Sequence, residues 1–261
     1  MLLENKNAII YGVGGIGAGV ARTFAAEGAR VFLAGRSLHK LEAVAKEIAD
    51  NGGFAEVTVI DALDEGAVDE HALAVAASAG GIDISFNLVS RGDIQGVPLA
   101  EMATADLLAP VTIGLRTNFI TARAAARHMI ERRSGVILAL NSGSAFGSPM
   151  MGGTGPADAA TDILVRNLAA ELGPHGIRVL GLWTAAVAET LSPEKLAAVN
   201  SNLQLDEAAF QGLLQHLAQM RMLRRSPSLA NVAATAAFLA SDHAASITGS
   251  FVNVTSGTFT S

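Results

Sequence analysis

Four glycines fall within six residues, Gly12-Val13-Gly14-Gly15-Ile16-Gly17, directly after the apolar run Ala8 to Tyr11 and ahead of a helical stretch. A chain that leaves a buried strand and turns tightly into a helix presents free N–H groups and the positive end of the helix dipole, which suits a pyrophosphate. A glycine turn that serves packing alone is the alternative, and the strand-turn-helix context favours a ligand. Further on, Ala34-Gly35-Arg36-Ser37 closes the second apolar run, where an acidic side chain would accept from a ribose 2′-hydroxyl. Arg36 offers a cationic fork instead, which suits a 2′-phosphate and points to NADP(H) over NAD(H). The plainer reading of Arg36 is a solvated charge at a helix start.

Other reactive side chains are sparse. The chain has no cysteine, one tyrosine (Tyr11) and one tryptophan (Trp183). Arg91 and Asp93 follow the fourth apolar run; Arg91 suits a carboxylate or a carbonyl oxygen, or else simply pairs with Asp93. Trp183 ends the sixth run, placed either to stack on a planar substrate or to pack. His128 and His175 have neither a nucleophile nor a metal partner in sequence, and no His/Asp/Glu spacing points to a metal site.

These residues need a frame. Short apolar runs recur at Ala8–Tyr11, Val31–Ala34, Val57–Ile60, Ile84–Phe86, Val136–Leu140, Ile177–Trp183 and Phe251–Val254, and their continuous apolar character predicts parallel strands buried on both faces. Amphipathic helical stretches lie between them at 19–27, 38–50, 64–78, 112–131 and 159–172. The alternation predicts a single α/β domain over 1–261, a Rossmann-type doubly wound parallel sheet of about seven strands with helices on both faces. Only 185–223 breaks the rhythm, a helical segment expected to form a lid over a ligand crevice. The 261 residues are half hydrophobic and carry 18 basic against 24 acidic side chains, a net charge of −6 with no basic run. That balance argues against nucleic acid and for a small-molecule substrate. No stretch reads as a signal peptide or a membrane span, so a cytoplasmic protein is expected.

Several segments, in order, resemble the short-chain dehydrogenase/reductase family. Tyr11-Gly12-Val-Gly-Gly15-Ile-Gly17 is similar to the family's first glycine turn, one residue short; Asp61-Ala62 matches the adenine-side aspartate, and Asn87-Leu88-Val89-Ser90 takes the place of Asn-Asn-Ala-Gly. Glu171 to Val179 and Ala236 to Gly249 look like the family's approaches to its last two strands. The resemblance implies cofactor contacts at Gly12, Gly14, Gly15, Ile16, Gly17, Arg36, Ser37, Asp61, Ala62, Asn87, Val89, Thr184 and Val187. The family's serine falls on Ser142, with Asn141 or Ser144 as register alternatives, and its Tyr-x-x-x-Lys pair falls on Thr154 and Asp158. Its long-helix asparagine falls on Gly114, with Asn118 one turn on.

The expected catalytic set is therefore Ser142, Thr154 and Asp158, a degenerate version of the family site. A threonine hydroxyl is far too weak an acid to replace a phenol unaided, and Asp158 reverses the charge that would have activated one. Asp158 either accepts from ribose hydroxyls or is a helix-face carboxylate near the surface. The leading expectation is an atypical NADP(H) oxidoreductase acting on a small carbonyl, alkene or imine. The alternatives are a non-redox isomerase, lyase or cyclase on the same scaffold, or a cofactor-binding protein without turnover. Small apolar faces (Ala122, Ala125, Ala126; Leu164, Leu168) on helices that pair between subunits in the family imply a homodimer or homotetramer.

Overall fold

The computed structural model describes residues 1–260. Seven strands form one parallel sheet in the order β3-β2-β1-β4-β5-β6-β7, with β1 at Asn7–Tyr11, β2 at Arg30–Gly35, β3 at Phe54–Val59, β4 at Ile84–Asn87, β5 at Gly135–Asn141, β6 at Ile177–Trp183 and β7 at Phe251–Asn253. The order reverses between β1 and β4, and a sheet of this kind leaves its ligand crevice beyond the strand ends at that switch point.

Side chains along β1 alternate between two cores, as a pleated strand requires. Ala8 and Ile10 face a cluster with Val20, Phe24, Leu41 and Ala236, and Ile9 and Tyr11 face one with Val68, Ala125 and Val165. The first is covered by α1 (Gly15–Ala26), α2 (Leu38–Asp50) and α8 (Leu229–Ala240); the second by α3 (Glu65–Ala79), α4 (Thr104–Arg132) and α5 (Thr154–Leu172). The short α6 (Pro193–Val199) and α7 (Glu207–Met220) lie in the segment between β6 and α8.

Four boundaries differ from the sequence expectation, the first being α1, which starts at Gly15 inside the glycine turn rather than at residue 19. β3 starts at Phe54 and ends at Val59, because it is the sheet's edge strand and leaves Phe54 and Val59 exposed rather than buried on both faces. α4 begins at Thr104 and runs through a buried Pro110, which forfeits one helical hydrogen bond without ending the helix. α5 begins at Thr154, five residues earlier than its apolar pattern suggests, so Thr154 and Asp158 sit on its first turns and are both buried.

The alanine face of α4 is a further correction. Ala122, Ala125 and Ala126 are buried within this chain's own second core, so that face is not free for a second subunit.

Candidate active site

The sheet's C-terminal edge is laced by main-chain bonds. Gly12 N–H donates to Ala34 (2.8 Å), Leu88 N–H to Tyr11 (2.7 Å) and Ile60 N–H to Gly35 (2.9 Å), which brings the loops after four strands together. Gly12 has a φ of +90°, and a Cβ there would lie 2.7 Å from the Leu88 carbonyl oxygen, so only glycine lets β1 turn this close to the β4 loop. Gly14 faces open space, whereas a Cβ on Gly15 would lie 2.8 Å from Thr190 of the segment beyond β6. The turn is thus open at Gly14 and closely covered at Gly15. The first N–H groups of α1 emerge here, with no side chain capping them.

A crevice of about 220 Å3 opens at the switch point, lined among others by Ile16, Asn87, Val89, Ser142 and Thr184. Asn87 Nδ2 donates to Thr117 Oγ1 (3.0 Å), while its Oδ1 accepts from Val89 N–H (3.2 Å), which fixes the floor. Arg36 and Ser37 lie exposed beyond β2. Asp61, also exposed, accepts from Leu63 N–H (3.0 Å) beside a buried Ala62, and Val187 is buried. A larger hollow of about 540 Å3 beside Arg22, Arg30 and Phe54 sits at the N-terminal ends of β2 and β3, away from the switch point.

One ionic network dominates the side of the crevice formed by the β4 and β5 loops and α5. The Asp158 side chain has no solvent exposure and accepts from Arg91 Nη1 (2.7 Å), Ser142 N–H (3.0 Å), Ser142 Oγ (2.7 Å) and Ser144 N–H (2.9 Å). The surface-carboxylate reading of Asp158 is therefore overturned, and both of its oxygens are engaged by protein donors. Arg91 also reaches Asp93 (Nη2 to Oδ1, 3.3 Å), so its guanidinium is held by two acids and is not free for a substrate carboxylate. Burial works to lower the Arg91 pKa, but Asp93 and Asp158 together raise it above its ordinary value. Thr154 Oγ1 donates to Asp93 Oδ1 (2.7 Å).

The register alternatives around Ser142 now separate. Asn141 points its Nδ2 to the Asp158 carbonyl (3.1 Å) and to Asp162 Oδ1 (2.7 Å), tying β5 to α5. Ser144 is buried and shares a 2.8 Å hydroxyl contact with Ser142. Ser142 is half-buried and faces the crevice, with Asp158 accepting its hydroxyl proton. Burial lifts Asp162 above the usual carboxylate range, against the opposing bonds from Asn141 and Trp183. Trp183 is buried against the rings of Phe146, Phe251 and Phe259, which leaves the packing reading and removes it from substrate stacking. Asn118 lines the crevice and donates to the Gly114 carbonyl (2.9 Å).

Sequence reasoning did not register Asp162, Thr117 or Arg221. The four-residue spacing of Asp158 and Asp162 on one helix face was a usable signal for the first. Arg221 is buried with no acidic partner among the described residues and donates through Nη2 to the carbonyls of Ala185 (2.8 Å) and Ala186 (3.4 Å), pinning the end of α7 to the exit from β6.

Comparison with known proteins accords with this arrangement. A family model described as enoyl-(acyl carrier protein) reductase matches residues 12–258. The L-rhamnose 1-dehydrogenase (NAD(P)(+)) of Azotobacter vinelandii is 30% identical over 266 residues, covering 99% of this chain and 98% of that protein. The D-threitol dehydrogenase of Mycolicibacterium smegmatis is 29% identical, covering 98% and 93%. A short-chain type dehydrogenase/reductase structure from Mycobacterium ulcerans superposes with a TM-score of 0.83 at 25% identity, covering 99% and 91%. A glycine turn at the switch point of a seven-stranded parallel sheet, matched along nearly the whole chain by dehydrogenases and reductases, places this protein in the short-chain dehydrogenase/reductase family as an oxidoreductase of that type.

Proposed function

We propose that the protein is an NADP(H)-dependent oxidoreductase that interconverts a hydroxyl and a carbonyl on a small polyhydroxylated substrate. The observation that carries this reading is the crevice itself, which joins the glycine turn through Ile16 to a set of hydrogen-bonding groups at Asn87, Asp93, Asn118, Ser142 and Thr184. The residues present fit a nicotinamide dinucleotide. Open space lies in front of Gly14, the first turn of α1 has no side-chain cap, and two buried acceptors beside the crevice, Asn141 Oδ1 and Thr184 Oγ1, have no partner among the described residues. When bound, the cofactor would supply or take up the hydride.

The protein's own groups do the rest. The glycine turn and the α1 N-terminus would hold the pyrophosphate, Arg36 the 2′-phosphate, and Asp61 the adenine side. Arg36 has no acidic partner within ion-pair distance among the described residues, so its fork is free for a phosphate. The segment 185–223, pinned by Arg221, would close over the crevice and keep water out. The names of the rhamnose and threitol relatives support a substrate rich in hydroxyls, and the polar lining of the crevice suits one.

The test is to offer the full chain NADP⁺ with aldoses and polyols, including L-rhamnose and D-threitol, and to follow the absorbance of NADPH. One NADPH formed per carbonyl product is the expected result. Product without any absorbance change, or no product from any of these compounds, would overturn the reading.

A further inference from the structure

On the alignment expected from the family resemblance, the loop after β4 brings side chains to the tyrosine, asparagine and lysine positions. Thr154, where the resemblance puts the tyrosine, is joined through one hydrogen bond to the Asp93 carboxylate (2.7 Å), so an acidic group from another element stands next to that position. A Cβ on Gly114, at the asparagine position, would lie 2.6 Å from Arg91 Cδ, so the Arg91 stem fills that space. Its guanidinium then brings a cation to Asp158, which stands at the lysine position. Both replacements come from the loop directly after β4.

Within this network only one acid–base atom is left open to the crevice. Both oxygens of Asp158 are taken by protein donors, and the Ser142 hydroxyl gives its proton to Asp158. Thr154 is buried and spends its proton on Asp93 Oδ1. Asp93 Oδ1 accepts from both Thr154 and Arg91, whereas Asp93 Oδ2 has no donor among the described residues. The Asp93 side chain keeps 17% of its surface exposed and lines the crevice beside Ser142 and Asn118.

We infer that Asp93 is the catalytic acid–base residue, with Arg91 and Thr154 as its positioning residues, and that the substrate is a cyclic aldose oxidised at its hemiacetal carbon. The inference rests on the oxidoreductase reading above and deepens it. The hemiacetal O–H bond breaks and its proton passes to Asp93 Oδ2. The hydrogen on the same carbon leaves with both electrons as hydride to the oxidised nicotinamide, and the carbon–oxygen single bond becomes the carbonyl of a lactone. The base selects the substrate class: a carboxylate is a weaker base than a phenolate, so it is better matched to a hemiacetal hydroxyl, more acidic than that of a simple alcohol.

The experiment uses the full chain saturated with NADP⁺, with L-rhamnose, D-xylose and D-glucose as aldoses and D-threitol and xylitol as polyols. The wild type is expected to oxidise one or more aldoses far faster than either polyol. Asp93→Asn, which keeps the acceptor oxygen for Thr154 and Arg91, should lower kcat for the aldose by about 10²- to 10⁴-fold, the usual contribution of a general base. Its aldose affinity, measured calorimetrically on cofactor-saturated protein, should stay close to wild type. Should Asp93→Asn melt early, Asp93→Ala assayed with added formate serves instead, and partial rescue by that small carboxylate is expected. An Asp93→Asn protein that retains most of its kcat, or one whose loss is entirely in affinity, overturns Asp93 as the base. A wild type that oxidises polyols but no aldose overturns the substrate class while leaving the oxidoreductase reading intact. A wild type that oxidises neither overturns both.

Discussion

Arg91, on the loop after β4, and Asp158, on the second turn of α5, meet at 2.7 Å in the wall of the candidate active site, with Asp158 fully buried and the Arg91 side chain 15% exposed. Ion pairs at the surface contribute little, but removing one member of a buried pair leaves an uncompensated charge out of water. Asp158→Ala is therefore expected to cost about 3–5 kcal/mol of unfolding free energy, the usual range for breaking such a pair. Arg91→Met combined with Asp158→Leu should cost clearly less than the two single changes added together. Urea denaturation of the four proteins in a double-mutant cycle measures this; strict additivity would show that the pair is not coupled.

Tyr11 gives a cleaner separation of stability from function. It is the chain's only tyrosine, yet its ring lies in the core on the α3 side, edge-on to His71, and its hydroxyl is buried with no partner among the described residues. Burial first, and then the nearby Asp69 charge, push its pKa well above the ordinary range, so it is a poor proton donor. Tyr11→Phe should leave turnover unchanged and raise stability by about 1 kcal/mol, because it removes an unsatisfied buried polar group at little cost in shape. A loss of turnover in a normally folded variant would bring Tyr11 into the catalytic set.

The limits of sequence reading follow from the same residues. Six apolar runs lay within a residue or two of the strands found, because strands buried in a parallel sheet carry their own signal. The site was legible at the glycine turn, where local geometry and local sequence coincide. It was not legible at Asp158, whose principal partner lies 67 residues away and whose burial depends on Arg91 crossing the space left at Gly114. The same holds for the alanines of α4: small apolar side chains suit a helix against its own sheet as well as a helix against another subunit, and only the packed structure separates the two.

His71 makes stability depend on pH. Its ring is buried on α3 against Tyr11, and desolvation pushes its pKa down from 6.5 to about 4. The folded state thus resists a proton that the unfolded chain accepts readily, so stability is fully present above pH 6.5 and falls as pH drops towards 4. The loss over that window should be roughly 3 kcal/mol. His71→Gln should flatten the thermal-melting profile between those limits; an unchanged profile would mean that other groups set the acid limb.

Self-association is expected through outer faces of α4 and α5, where Phe119 is 43% and Ile163 53% exposed. Large apolar side chains left exposed on neighbouring helices favour a symmetric contact with a second copy. Light scattering of the wild type should give a dimer or tetramer, and Phe119→Asp with Ile163→Asp should shift it towards the monomer at unchanged helix content. A wild-type monomer at all accessible concentrations would remove the proposal.

Cofactor choice turns on Arg36. It follows Gly35 at the end of β2, exposed and without an acidic partner among the described residues, at the place where a carboxylate would accept from the ribose 2′-hydroxyl of NAD(H). A guanidinium reverses that preference: it donates two parallel bonds to a phosphate and has nothing to accept from a hydroxyl. Arg36→Ala should therefore weaken NADP(H) binding by roughly 1.5–3 kcal/mol, the range for a hydrogen bond to a charged group, and leave NAD(H) affinity nearly unchanged. Arg36→Asp should go further and invert the preference, because a carboxylate repels the 2′-phosphate and accepts from the free hydroxyl. Titrating both cofactors against the three proteins by calorimetry decides the matter without any substrate. Equal affinities in the wild type, or a preference for NAD(H) that Arg36→Ala does not alter, would return Arg36 to the role of a solvated charge at the start of α2.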